Sequence, residues 1–157
     1  MSGVIFVLFL AGLAAFLYWR WRESTVVLAK APDRSWRRRP SPGQIWWADV
    51  PFEDSRGSKV RPCLVIRTHQ HYIEVLKITS QDKSHRWDHI EMETASWDRQ
   101  ARYNSFLDLS SPRRLWDDAF KRRAGICDPG TWQQVLNRYA TGWVVKRREV
   151  AQRREAA

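Results

Sequence analysis

Arg61 is the residue whose type and setting most directly suggest chemistry. It stands between two apolar runs, Gln44 to Val50 and Cys63 to Ile66, at the mouth of the second. A guanidinium is permanently charged and offers five donors in a rigid fork, a match for phosphate or carboxylate. Both runs read as strands: the first is rich in aromatic and aliphatic residues and meets Pro51, and the second directly follows Pro62. The loop between them, Glu53, Asp54, Ser55, Arg56, Gly57, Ser58 and Lys59, is polar. It delivers Arg61 to a place where a sheet fixes its backbone while solvent reaches its tip. On the residues alone two roles stay open, an anion-binding arginine or half of a structural ion pair with Asp49 or Glu53.

Single-stranded nucleic acid would need a basic, aromatic groove around that arginine. Arg56, Lys59 and Arg67 are near it in sequence and are the candidate phosphate contacts; Trp46 is the stacking candidate, with Trp47 and Trp87 as others. Strand alternation sends Trp46 and Trp47 to opposite faces, so only one of the pair is available. For proton transfer the nearby choices are His69, His71, Glu53 and Asp54. No Cys or His pair has zinc-site spacing, so neither metal nor cofactor is expected. Cys63 and Cys127 are expected to be free thiols.

The elements that must position these groups are mostly strands. Strand-like runs cover Gln44 to Val50, Cys63 to Arg67, Tyr72 to Ile78, Asp88 to Glu93 and Ser105 to Ser110. Five short strands followed by helix predict a mainly β fold, a small, partly open barrel closed by C-terminal helices. The clearest helix begins at Asp128 as N-cap with Pro129 next. Trp132, Val135, Leu136 and Tyr139 then share one face until Gly142 stops it, and Trp132 should be buried. A shorter helix is expected over Trp116 to Arg123, and a further one within Trp143 to Glu155.

Charge divides the chain further. Gly3 to Trp19 is uncharged and almost wholly apolar, just long enough for a membrane-spanning helix. Arg20, Arg22, Lys30, Arg34, Arg37, Arg38 and Arg39 follow, against Glu23 and Asp33, a net of +5. No basic side chain precedes the apolar run, which favours an uncleaved anchor over a signal peptide. The positive-inside rule then puts the N-terminus outside and the domain in the cytoplasm. The expected division is a transmembrane anchor at 1–22, a basic Pro/Arg-rich linker without a fold at 23–42, the barrel at 43–142 and a basic tail at 143–157. The tail carries +3 of the chain's +10, leaving only +2 on the barrel, so net charge alone does not establish nucleic-acid binding.

The run Gly43, Ile45, Trp46, Asp49, then Arg61, Pro62, Leu64 and Val65, resembles the opening motif of the MazF/PemK family of toxin endoribonucleases, with Gln44 where members usually carry an acidic residue. The likeness continues through Thr79, Phe106, Asp108, Gly125 and the last helix, over about residues 42 to 142. It implies an SH3-like barrel, a homodimer, and an antitoxin that occupies the RNA groove. It also implies that Arg61 and Thr79 form the catalytic pair, cleaving single-stranded RNA without metal through attack of the 2′-hydroxyl. On residues alone Thr79 is a β-branched strand former. The competing function is a non-catalytic module that uses the same barrel to hold RNA, DNA or a protein at the membrane, with DNA the weaker alternative.

Overall fold

The computed structural model describes residues 2–54 and 56–155; the side chains of residues 2–8, 10, 11, 22 and 154 lie outside that description. Helix α1 (Ser2–Glu23) leads into β1 (Thr25–Leu28). Strands β2 (Gln44–Pro51), β3 (Ser58–His69), β4 (Ile73–Thr79), β5 (His89–Met92), β6 (Ser105–Asp108), β7 (Arg113–Leu115) and β8 (Phe120–Ile126) follow. Helix α2 (Pro129–Arg138), strand β9 (Gly142–Lys146) and helix α3 (Arg147–Glu155) complete the chain. One path through the sheet runs β1-β9-β3-β4-β6-β5, with β2 joining β3 to β8 and β7 on β4. The result is a curled half-barrel with α2 against it.

The long strand β3 organises this arrangement. Its apolar run is continuous because both faces are covered. Leu64 and Ile66 join Ile45, Leu76, Ile78, Met92, Leu107 and Val135 in one core, whereas Cys63 and Val65 join Ala48, Val50, Ile73, Val75 and Leu115 in the other. Each fully buried aliphatic side chain there contributes about 1.5–3 kcal/mol of transfer free energy. Helix α2 closes the first core. Asp128 caps it by accepting from the Thr131 amide at 2.8 Å, Pro129 opens it, and Val135 is fully buried while Trp132 and Tyr139 pack at the margin. Trp132 is thus only partly covered, short of the full burial expected. Burial pushes both free thiols, Cys63 and Cys127, up to about 12.

Several expectations need correction. Trp116 to Arg123 is not a helix: a 3-10 turn at Asp117–Ala119 passes into β8, which pairs antiparallel with β2. Residues 23–42 are not a structureless linker. Strand β1 pairs antiparallel with β9, Thr25 opposite Lys146, and Trp36 meets Trp143 edge to face at 6.0 Å in a third small core with Val145. Arg39 forks onto Asp117 and donates to the His69 carbonyl at 2.6 Å. Residues 143–155 divide into strand and helix, and Gly142 opens β9 rather than ending α2. A Cβ there would stand 2.5 Å from the Leu28 carbonyl oxygen, at a φ of +140°.

A helix does cover Gly3 to Trp19, but among the described residues no helix is long and apolar enough to cross a membrane. Some of the side chains on which the spanning expectation rests, those of residues 3–8, 10 and 11, lie outside the described residues. Phe9, Leu13, Phe16, Leu17, Tyr18, Trp19 and Trp21 are exposed. The end of α1 is tied down: Glu23 pairs with Lys146 at 3.2 Å and Arg148 at 3.0 Å, and the Arg147 guanidinium lies 5.3 Å from the Trp21 ring.

Candidate active site

A cleft of about 480 Å³ opens where β3 and β4 part. Their ladder ends at Cys63 opposite Lys77, after which β4 pairs with β6 through Ile78 and Thr79 while the first half of β3 stays with β2. Pro62, with no N–H to lend, falls where the β3–β4 ladder stops. Carried two residues further, the register sets Arg61 opposite Thr79. There the strands have separated, and both residues line the cleft.

Arg61 is half-buried, with its backbone opposite Ala48 of β2. Its Nε is buried without a hydrogen-bond partner, and no carboxylate pairs with it among the described residues. Glu53 is engaged elsewhere, by Lys77 at 2.7 Å and by Arg113. A guanidinium in this state retains donors for an incoming anion. The Thr79 hydroxyl accepts from the Gln81 amide at 3.2 Å, which leaves its own proton to donate. A charged fork and an alcohol facing one space can bind the oxygens of a phosphodiester as negative charge builds on them.

The other sequence candidates fare unequally. Lys59 lines the cleft; Arg56 is exposed in the preceding loop but does not line it. Arg67 sits at the far end of β3, paired with Glu74. Trp46 faces the second core, edge to face with Phe120 at 6.1 Å, its Nε1 donating to Gln44 at 2.8 Å. The alternation argument therefore selects Trp47, which lines the cleft with the Arg122 guanidinium 5.4 Å from its ring. Trp87 is exposed outside the cleft, beneath Arg138.

None of the four nominated proton-transfer groups lines the cleft. His69 stacks on Tyr72 at 4.1 Å, and burial lowers its imidazole below the usual histidine range despite Glu74 at 3.3 Å. His71 belongs to a separate open groove with Trp116, Asp117 and Asp118. Asp54 stays in the exposed loop.

Sequence reasoning missed the opposite wall, formed by Trp97, Asp98, Arg102 and Tyr103 between β5 and β6. This segment has little periodicity, so only its aromatic residues could have drawn notice. It is well held. The Trp97 and Asp98 amides donate to the Thr94 carbonyl at 3.1 and 2.8 Å, and the Thr94 hydroxyl accepts from the Ser105 amide at 2.8 Å. Gly125 of β8 lets Trp97 close in: a Cβ at that glycine would meet the Trp97 Cβ at 2.6 Å.

Among the described residues, Asp88, His89 and Asp108 bring potential metal-ligand atoms together. Their charges are already answered within the protein. Arg86 forks onto Asp88, His89 lies 2.8 Å from the same carboxylate, and Lys77 stands 3.3 Å from Asp108. Hydrogen bonds from Arg86 and His89 hold Asp88 well below the usual carboxylate range. At Asp108 burial pushes upward, but hydrogen bonds from Ser110 and the charge of Lys77 win, and its value falls too. The donor set fits an internal ion network better than a cation site.

No curated protein matches this chain. Among solved structures, an endoribonuclease in complex with its cognate antitoxin from Mycobacterial species aligns with a TM-score of 0.47 at 14% identity, covering 62% of this chain and 87% of that one. Residues 41–141 match the description of the PemK-like, MazF-like toxins of type II toxin-antitoxin systems. That span begins just before β2 and ends between α2 and β9, taking in both walls of the cleft, and this chain belongs to the PemK-like, MazF-like toxin family.

Proposed function

We propose that this chain is a toxin-type endoribonuclease that cleaves single-stranded RNA without a metal ion. The observation that carries the reading is the meeting of Arg61 and Thr79 in one cleft, the guanidinium without a carboxylate partner among the described residues. The ribose 2′-oxygen attacks the adjacent phosphorus and the bond to the 5′-oxygen breaks, leaving a cyclic phosphate and a free 5′-hydroxyl. Arg61 binds the phosphoryl oxygens, and the Thr79 hydroxyl donates a further hydrogen bond. Lys59, Arg102 and Trp47 support passage of a strand through the cleft.

The proposal extends to assembly and place. The chain acts as a homodimer, and a cognate antitoxin covers the cleft. Residues 3–19 attach it to a membrane with the barrel on the cytoplasmic side. Support for the last part is the apolar run, the net +5 that follows it, and the exposed Phe9, Phe16 and Trp19 of α1. Expression of the full chain beside Arg61→Ala and Thr79→Ala tests the activity. Growth arrest with RNA breakdown, abolished by both substitutions, is expected; a folded, harmless chain that still binds RNA would replace the nuclease with a binding module. Recovery of the full chain in the soluble fraction would remove the membrane part alone.

A further inference from the structure

The cleft that Arg61 and Thr79 share is cationic on one side, yet Asp98 lines it from the other. A carboxylate repels the phosphates of a bound strand, so its presence calls for a different partner on the ligand. Asp98 forms no ion pair among the described residues. One oxygen accepts from the Gln100 amide at 3.1 Å, and no hydrogen bond engages the other among the described residues. Tyr103 lines the same cleft at 85% exposure, with no aromatic neighbour among the described residues.

The wall that carries both is anchored to the catalytic side. Ser105 donates to Thr94, whose carbonyl receives the Asp98 amide, and the next residue of β6, Phe106, pairs with Thr79. An unstacked base in the cleft would find a ring to stack on and an acceptor at its edge. Aromatic stacking is indifferent to base identity, but a carboxylate is not. Guanine alone presents two adjacent donors, N1–H and the N2 amine, in a fork that matches two carboxylate oxygens. Adenine and cytosine offer an amine beside an acceptor, and uracil offers a single ring N–H.

We propose that Asp98 and Tyr103 form a base-reading subsite that selects guanine in the single-stranded RNA held by this cleft. The proposal rests on the RNA reading above and adds the base. Tyr103 supplies the stacking surface, Asp98 reads the Watson–Crick edge, and Lys59 and Arg61 hold the backbone across from them.

The test measures binding of the full chain, by fluorescence anisotropy, to short 2′-O-methyl RNAs that carry guanine, inosine, adenine, cytosine or uracil at one position in otherwise uniform sequence. The blocked 2′-oxygen prevents cleavage, so affinity is read independently of turnover. Guanine should bind about tenfold more tightly than inosine, which lacks the N2 amine, and than uracil. In Asp98→Asn that advantage should fall below about twofold, while Tyr103→Ala should weaken all five by about tenfold. Equal affinity for all bases in the unaltered chain, or a guanine preference that survives Asp98→Asn, overturns the subsite. Failure of the unaltered chain to cut unmodified RNA, with the guanine preference intact, removes the nuclease reading and leaves the subsite standing.

Discussion

Arg61 and Thr79 are eighteen positions apart by their numbers, and the antiparallel pairing of β3 with β4 brings them to one cleft. Their separate readings from sequence differ in kind. The position of Arg61 at a strand mouth follows from the apolar run after Pro62, whereas nothing local distinguishes Thr79 from an ordinary strand residue. Trp46 shows the limit of local reasoning: alternation requires that one tryptophan of the pair be available, but only the seating of β8 and Phe120 decides that Trp46 packs and Trp47 lines the cleft. Arg67 likewise stands near Arg61 in sequence yet is taken by Glu74. We expect Arg61→Ala and Thr79→Ala each to lower kcat for RNA cleavage by about 100- to 1,000-fold, the scale of a lost oxyanion donor. Thermal melts should move by less than about 3 °C, since neither residue fills a core. Arg67→Ala should leave kcat within about threefold, which steady-state kinetics on the same substrate would show.

At the scale of elements, the apolar patterning of β2 to β6 makes them legible, whereas β1 and β9, whose apolar runs are short and adjoin charged segments, read as linker and helix. Strand β7, with Arg113 and Arg114 beside a buried Leu115, and strand β8, with Lys121, Arg122 and Arg123 exposed, are carried by backbone pairing to β4 and β2. Local pattern cannot announce a strand of this sort, because its stabilisation comes from its partner. Gly125 links β8 to the site by admitting Trp97. Gly125→Ala should drive a Cβ into that ring's stem and cost about 1–3 kcal/mol, measured by urea unfolding. The same substitution should raise KM for RNA as the wall bearing Asp98 and Tyr103 is displaced.

For the whole molecule, the largest departure from expectation is that residues 23–42 belong to the fold. Charge and proline made them resemble a tether, but Trp36 covers Trp143 and β1 covers the edge of β9. A buried tryptophan removes roughly 150–250 Å² from water, worth about 4–6 kcal/mol at 25 cal/mol per Å², enough to hold a short segment. A chain beginning at residue 40 should therefore unfold at lower urea than one beginning at residue 24, by an amount that Trp36→Ala in the longer chain partly reproduces. Acid acts through a different part of the molecule. Asp88 and Asp108 are both held below the ordinary carboxylate range, so the stability they lend is fully present above a pH of about 4 and is lost as pH falls through their folded values. Urea midpoints should drop between neutral pH and pH of about 3, and Asp88→Asn should narrow that drop by lowering the neutral value.

The most direct measurement of the central claim is the chemistry of the RNA ends. Single-stranded RNA treated with the full chain in excess chelator, and analysed by mass spectrometry, should yield 2′,3′-cyclic phosphates and free 5′-hydroxyls, with no such products from Arg61→Ala or Thr79→Ala. Cleavage that leaves 5′-phosphates, that stops when divalent cations are removed, or that persists at full rate in both variants would contradict the account.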